Sequence, residues 1–375
     1  MERIYFDNAA TTSLDPAVLD CMMPYLTTHF GNPSSIYSYG RETRMAVEMA
    51  RKQTAKILNT SPGSIFFTSG GTESINTILK AAVRDLGCTH IISSPIEHHA
   101  TMHTLEFMAE NWKTNVDYVK LLPNGHIDLE DLENLLKNSK EKTLVSLMHA
   151  NNELGNMLDL NEVGNLCKKY DALFFSDTVQ TVGHFPFDLK NTPVDFITAA
   201  GHKFHGPKGV GMMYVNENLK IKPLISGGAQ ERAMRAGTEN IYGIVGFAAA
   251  LDIATKNYEH DKAYISSVRD YMMEQLKQHF DNISFNGDPA GRSLYTVLNV
   301  NFPKTEKTEM ILMNLDMQHI CASGGSACAS GAEAGSHVIN ALNADPEKVA
   351  VRFSFCKHNT REEVDAVINV LKNIL

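Results

Sequence analysis

Cysteine is scarce and scattered in this chain of 375 residues: Cys21, Cys88, Cys167, Cys321, Cys328 and Cys356 include no CxxC pair. That excludes a disulfide framework and a four-cysteine zinc site, so any special thiol has to be argued singly. Cys88 and Cys167 fall in helical or helix-end contexts and read as small core residues, the common fate of free cysteine. Positive charge is short as well. With 34 Lys and Arg against 43 Asp and Glu the formal net charge is −9, which leaves no footprint for nucleic acid or an anionic membrane. No apolar run approaches the roughly 18 residues of a membrane-spanning helix, and MERIYFDNAATT lacks the basic start and apolar stretch of a signal peptide. These absences predict a cytoplasmic protein whose partner is a small molecule or another protein. Internal repeats and low-complexity tracts are missing too.

What is present suits a large globular protein. Hydrophobic residues make up 43% of the chain, enough to bury a core, and the length exceeds that at which one core usually stops growing. Two domains are therefore expected. From about residue 64, short apolar runs (SIFFTSG, THIISS, DYVKLL, TLVSLMHA, ALFFSD, VDFITAAG, GVGMMYV) alternate with helix-period segments. That alternation predicts an α/β fold with a mostly parallel, mixed sheet, whose ligands gather at the carboxyl ends of the strands. Past residue 255 a long helical stretch, a strand near YTVLNVNF, a helix near TEMILMNLD, the strand AVRFSF and a closing helix predict a smaller α+β domain. The closing helix places Val364, Val367, Ile368, Leu371 and Ile374 on one face. The expected division is a large domain over 15–255 and a small one over 1–14 and 256–375.

Several strand ends carry chemistry. GHKFHGPKGVG follows VDFITAA and puts Lys203 where α/β sheets hold their sites. A partly desolvated lysine can form an imine with an aldehyde, although most lysines are solvated loop residues; the surrounding glycines favour a ligand-side turn. In SDTVQ, Asp177 ends a strand and can hold a cofactor-ring nitrogen protonated, or merely cap a helix. Gln180, expected one helical turn on, can donate to a ring oxygen. FTSGGTES is a strand, a Gly-rich turn at Gly71 and a helix start, an arrangement that receives anions, with Thr72 adding a hydroxyl; it lacks the lysine of a nucleotide P-loop. EHHA offers His98 as a flat ring to stack on a cofactor or shuttle protons near neutral pH. A metal site on His98, His99 and His103 is the rival, but no carboxylate or cysteine completes the spacing. NNELG offers Asn152 as a hydrogen-bond partner for a ring hydroxyl or the substrate. In the smaller domain, small residues surround Cys328, so an exposed reactive thiol and a buried one stand level. Arg352 can clamp a carboxylate with two hydrogen bonds, or form an ordinary ion pair.

Ten strings in one order resemble the cysteine desulfurases, a branch of the class V aminotransferase-like enzymes that use pyridoxal phosphate: YFDNAATT, GNPSS, FTSGGTES, EHHA, NNELG, SDTVQTVG, GHKFHGPKGVG, GGAQERAMRAGTEN, GGSAC and VRFS. The resemblance implies a homodimer of the aspartate-aminotransferase type, the fold of the pyridoxal-phosphate-dependent transferases. It implies the cofactor joined to Lys203, stacked on His98, paired with Asp177 at its ring nitrogen, and touched by Gln180 and Asn152. Phosphate contacts are implied for Thr72, Gly71 and His202, with Thr238 reaching in from the other subunit. Arg352 and Asn152 would hold L-cysteine, and Cys328 would accept its sulfur as a persulfide. A sulfur-acceptor protein, either an iron–sulfur scaffold or a sulfur carrier, follows as partner. The GSAC context resembles the branch with an extended cysteine loop, since the RxGHHC of the other branch is missing. Ala200 stands where members often carry a phosphate-binding serine, and Cys321 is expected to be buried. Leu375 directly follows the last helical stretch, without the C-terminal extension by which housekeeping members hold the iron–sulfur scaffold, which leaves partner choice open.

Overall fold

The seven apolar runs assemble into one sheet in the computed structural model, which describes residues 3–324 and 336–375. A two-residue strand β1 (Ile4–Tyr5) precedes them. The sheet strands are β2 (Ile65–Thr68), β3 (His90–Ser93), β4 (Asn115–Tyr118), β5 (Thr143–Ser146), β6 (Leu173–Asp177), β7 (Phe196–Ala200) and β8 (Gly211–Val215). Their order is β2-β8-β7-β6-β5-β3-β4. Pairing is parallel from β4 through β3, β5 and β6 to β7, while β8 runs antiparallel to both β7 and β2. The expected α/β architecture with a mostly parallel, mixed sheet is what forms.

Burial explains the apolar runs. Strands β2, β3, β5, β7 and β8 are buried at every position, as strands covered on both faces must be. Alternate residues feed two cores: Ile92, Val145, Phe174 and Ile197 pack on one face, and Ile91, Leu144, Phe175 and Phe196 on the other. Each such side chain, fully buried, is worth roughly 1.5–3 kcal/mol. The exception is β4, expected over DYVKLL but formed two residues earlier, at Asn115–Tyr118. It is an edge strand whose register is set by β3, so no apolar alternation marks it.

The helices between strands are α1 (Pro16–Thr27), α2 (Ser38–Ile57), α3 (Gly71–Arg84), α4 (His99–Trp112), α5 (Leu129–Asn138) and α6 (Leu160–Lys169). Asp15, Asp128 and Asp159 cap α1, α5 and α6 by accepting main-chain N–H groups of the first turn, the usual use of Asp at a helix start. Helix α3 starts differently: its N-cap is Gly70, with no side-chain cap.

A second core lies beyond residue 255. It holds β9 (Ser284–Phe285), β10 (Val297–Pro303), β11 (Ile320–Cys321) and β12 (Lys348–Ser354), with β12-β10-β9 forming an antiparallel sheet. Val364, Val367, Ile368, Leu371 and Ile374 of the closing helix Arg361–Ile374 all pack into it, as does Phe6. The helix Ile241–His279 serves both cores, through Ile244, Phe247 and Leu251 at one end and Ile265, Val268, Met272 and Leu276 at the other. The helix expected near TEMILMNLD is two short ones, Glu306–Glu309 and Ile311–Met317. Cys321, expected buried, is only half-buried, because β11 is two residues long with β1 as its sole neighbour. Among the described residues no helix is long and apolar enough to cross a membrane.

Candidate active site

A cavity of about 230 Å³ opens at the carboxyl ends of β5, β6 and β7, where parallel sheets expose free main-chain ends to a ligand. Lys203, Asp177, His98, Gln180, Asn152, Gly71, Thr72, His202 and Arg352 all line it. Of the expected residues only two are not brought there: Thr238 is exposed and absent from the lining, and Cys328 lies outside the described residues.

Lys203 ends a one-turn 3-10 segment, Gly201–Lys203, that leaves β7. Its Nζ donates to the carbonyls of Ala9 (2.6 Å) and Ala10 (2.8 Å), so the amine faces the cavity through a turn of the N-terminal segment. The Lys203 carbonyl accepts from Nε2 of half-buried His184 at 3.0 Å, which fixes the main chain behind the amine. Gln180, in a turn rather than a helix, donates to Ala9 as well, at 3.1 Å.

Asp177 closes β6, and its Oδ1 accepts the N–H of Val179 at 3.0 Å. Burial pushes its carboxyl up to about 6, against the downward pull of that hydrogen bond and of Lys203. A cationic nitrogen set opposite would restore the charge. No helix follows Asp177, so the capping alternative reduces to this one local bond.

His98 is the N-cap of α4, its Nδ1 accepting the N–H of Ala100 at 3.1 Å. Nε2 therefore carries the ring proton. Burial, then Lys203, pushes the imidazole down to about 4. The lowered value favours the neutral ring, which presents its Nε2–H. His202, with Nδ1 at 3.2 Å from Thr11 Oγ1, is pushed down to about 4 by the same two causes.

At the start of α3 the first N–H groups have no side-chain cap, so they and the positive helix end are available to an anion. Gly71 is required by space: a Cβ there would meet Val179 Cγ2 at 2.8 Å. The same Cβ would lie 3.7 Å from Thr198 Oγ1, a buried hydroxyl with no hydrogen-bond partner. Thr198 was not anticipated from sequence, and Ala200, two residues on, carries no hydroxyl.

Arg352 forms the ion pair of its second reading, with Asp7. It is 1% exposed, and Nη2 pairs with Asp7 Oδ1 at 2.6 Å while Nη1 donates to the Asn152 carbonyl at 3.0 Å. Its Nε has no partner, an orphaned buried donor of the kind a ligand carboxylate completes. Arg352 and Ser323 also exchange main-chain hydrogen bonds of 2.6 and 3.2 Å. On the far side of residues 325–335, the Ser336 hydroxyl caps the helix His337–Ala341 and donates to buried Glu153, and His337 Nε2 donates to the Glu97 carbonyl at 2.9 Å.

The comparisons with known proteins follow this geometry. The family model for aminotransferase class-V matches residues 4–367. A cysteine desulfurase IscS of Dictyoglomus turgidum is 39% identical over 377 residues, spanning 100% of this chain and 94% of its own length. Among solved structures, a NifS-like protein superposes with a TM-score of 0.92 at 37% identity, covering 100% of this chain and 99% of its own. SspA in complex with cysteine gives 0.82 at 29% identity, over 95% of this chain and 100% of its own. With a family model spanning nearly the whole chain and relatives matched end to end, the chain belongs to the aminotransferase class-V family and, within it, to the cysteine desulfurases.

Proposed function

We propose that this protein is a pyridoxal-phosphate-dependent desulfurase that converts L-cysteine to L-alanine and receives the sulfur on Cys328 as a persulfide. The sulfur then passes to an iron–sulfur scaffold or another sulfur-carrier protein. One observation carries the reading: Lys203, Asp177, His98, Arg352 and the uncapped start of α3 converge on a single 230 Å³ cavity.

These residues fit the cofactor. The N-terminus of α3 with Thr72 and His202 suits a phosphate. The buried, upshifted Asp177 suits a ring nitrogen that gains a proton, and neutral His98 suits stacking. Lys203 supplies the amine for the aldehyde. When bound, the cofactor supplies an electron-accepting ring that weakens the bonds of an amino acid joined to it.

The chain's own groups do the rest. Arg352 holds the substrate carboxylate with its unpartnered Nε, and Asp7 gives up its place on Nη2. Lys203 Nζ takes the Cα proton and returns it on the product side, with His98 Nε2–H as a second donor. The Cys328 thiolate attacks the substrate sulfur; an S–S bond forms as the C–S bond breaks, and alanine leaves after reprotonation. We further propose a homodimer whose partner contributes Thr238, and the division of the chain into 15–255 against 1–14 with 256–375. Bulky apolar residues support the dimer: Phe30 is 74% and Ile36 86% exposed ahead of α2, and Met45 and Met49, one turn apart on α2, are 60 and 62% exposed, apolar surface of the kind that marks interaction sites.

Mixing the purified protein with L-cysteine should yield alanine and sulfur in equal amounts, while Cys328→Ala keeps its yellow cofactor and loses sulfur release. Pyruvate formation, or amino transfer to a keto acid, would overturn the reading. Sedimentation of the double variant Phe30→Glu/Ile36→Glu should show monomer where the parent sediments as dimer.

A further inference from the structure

Strand β2 lies at the edge of the sheet, with β8 on one side and no strand of the described residues on the other. An open edge leaves alternate N–H and C=O groups in need of partners. Side chains supply them in register. The Ile65 carbonyl accepts from Arg51 Nη1 (2.9 Å), the Phe67 N–H donates to Glu231 Oε2 (2.8 Å), and the Ser69 N–H donates to Glu73 Oε2 (2.9 Å). Residues 65, 67 and 69 thus meet a substitute neighbour made of two carboxylates and a guanidinium, and the ladder stops one residue short of Gly70 and the start of α3.

Each carboxylate is itself held. Arg51, 1% exposed, grips Glu231, 4% exposed, through two bonds of 2.7 and 2.8 Å, and stacks its guanidinium over the Phe67 ring. Arg235 pairs with Glu73 at 3.1 Å. Without that partner, Glu73 in the first turn of α3 would set a negative charge where the helix otherwise attracts anions. The segment that delivers Glu231 is strained: Glu231, Arg232 and Ala233 have φ of 45°, 57° and 64°. Three consecutive non-glycine residues in the left-handed region persist only where the surroundings over-determine them, and such strain gathers at functional sites.

We propose that the paired ions Arg51–Glu231 and Arg235–Glu73 are positioning residues for the phosphate of the cofactor. They clamp the free edge of β2 so that the turn at 69–72 presents its N–H groups in a fixed direction, and they cancel the charge of Glu73. This rests on the cofactor reading above. The brace touches neither the ring pocket nor the substrate side, so its signature is phosphate discrimination, not chemistry at the amine.

The test compares pyridoxal phosphate with pyridoxal, which has the same aldehyde and ring but no phosphate. Both are titrated by absorbance into the full-length protein stripped of its cofactor. Two variants are used: Arg235→Met, and the double variant Arg51→Met/Glu231→Leu, which removes both buried charges together and so leaves no unpaired ion. In each, preference for the phosphorylated form should fall about tenfold, with pyridoxal affinity unchanged, as expected when a preformed cradle loosens. A preference within twofold of the parent, in variants that keep the parent's circular dichroism, overturns the proposal. If the double variant does not fold, Arg235→Met alone decides. A parent protein that binds both compounds equally sinks the cofactor reading itself, and the brace with it.

Discussion

On the floor of the cavity, Asp177 and His98 are held by bonds to main-chain groups two residues away, Val179 and Ala100. On its roof, every contact joins residues at least 171 positions apart: Lys203 to Ala9 and Ala10, Gln180 to Ala9, and Arg352 to Asp7. Floor contacts form whenever a strand or helix end forms and need no ligand. Roof contacts occupy the donors that a cofactor or substrate must claim, and they come from the side of the second core. Orientation is thus set locally, whereas on the proposed function occupancy is set by exchange of these intramolecular bonds for bonds to the ligands.

Lys203 belongs to both regions, and replacing it should have the largest effect. Lys203→Ala should lower cysteine turnover by about a thousandfold or more, with mass spectrometry showing no borohydride-fixed cofactor at residue 203. Next comes the roof cation. Arg352→Ala should raise KM for cysteine about 100-fold, or about 3 kcal/mol, the scale of a charged hydrogen-bonded pair, with a smaller change in kcat. Asp7→Asn sharpens the contrast because it keeps an oxygen on Nη2 but removes the competing charge. KM should then fall by about threefold, since a ligand gains only the difference between two occupants. A rise in KM as large as that of Arg352→Ala would make Asp7 a fixed support and erase the distinction between roof and floor.

The smallest effect concerns pH. His98, His149, His202 and His205 are each pushed down to about 4, with burial the largest cause. Below their ordinary value near 6.5, the unfolded chain binds protons that the folded chain refuses, so stability is fully present above that value and drains as pH falls towards 4. Burial lowers His99 and His184 as well; Asp177, raised to about 6, Glu97, raised to about 8, and Asp195 and Glu239, also raised, act in the opposite sense, but they are four carboxyls against six histidines. Thermal unfolding should therefore give a lower Tm at pH 5 than at pH 7.

The floor was legible in the sequence because its signals are local: an apolar run, a tight turn and a polar residue within a few positions, as at Asp177, Lys203 and Gly71. The closing helix was legible for the same reason, its apolar face repeating with the helical period. The roof was not. Asp7 stood in a recognised string, YFDNAATT, yet its partner lies 345 positions away and no periodicity announces such a pair. The brace on β2 was equally silent, because nothing local in the sequence marks Arg51 and Glu231 as the buried pair they form on folding. His98 was visible as a ring but not as a downshifted one, since burial and the closeness of Lys203 arise only on folding. The displaced β4 shows the limit on the other side: an edge strand with few apolar residues leaves the sequence little to mark it.

The main-chain bridge between Ser323 and Arg352 has a geometric consequence for whatever collects the sulfur. Cys328 is five positions beyond Ser323, and a peptide chain spans at most about 3.3–3.6 Å per residue. Five residues of main chain reach at most about 18 Å from that bridge, and Arg352 is the residue proposed above to hold the substrate carboxylate. If Cys328 hands sulfur on as proposed, a recipient cannot wait at a distance for delivery; its acceptor atom has to come close to the Ser323–Arg352 bridge.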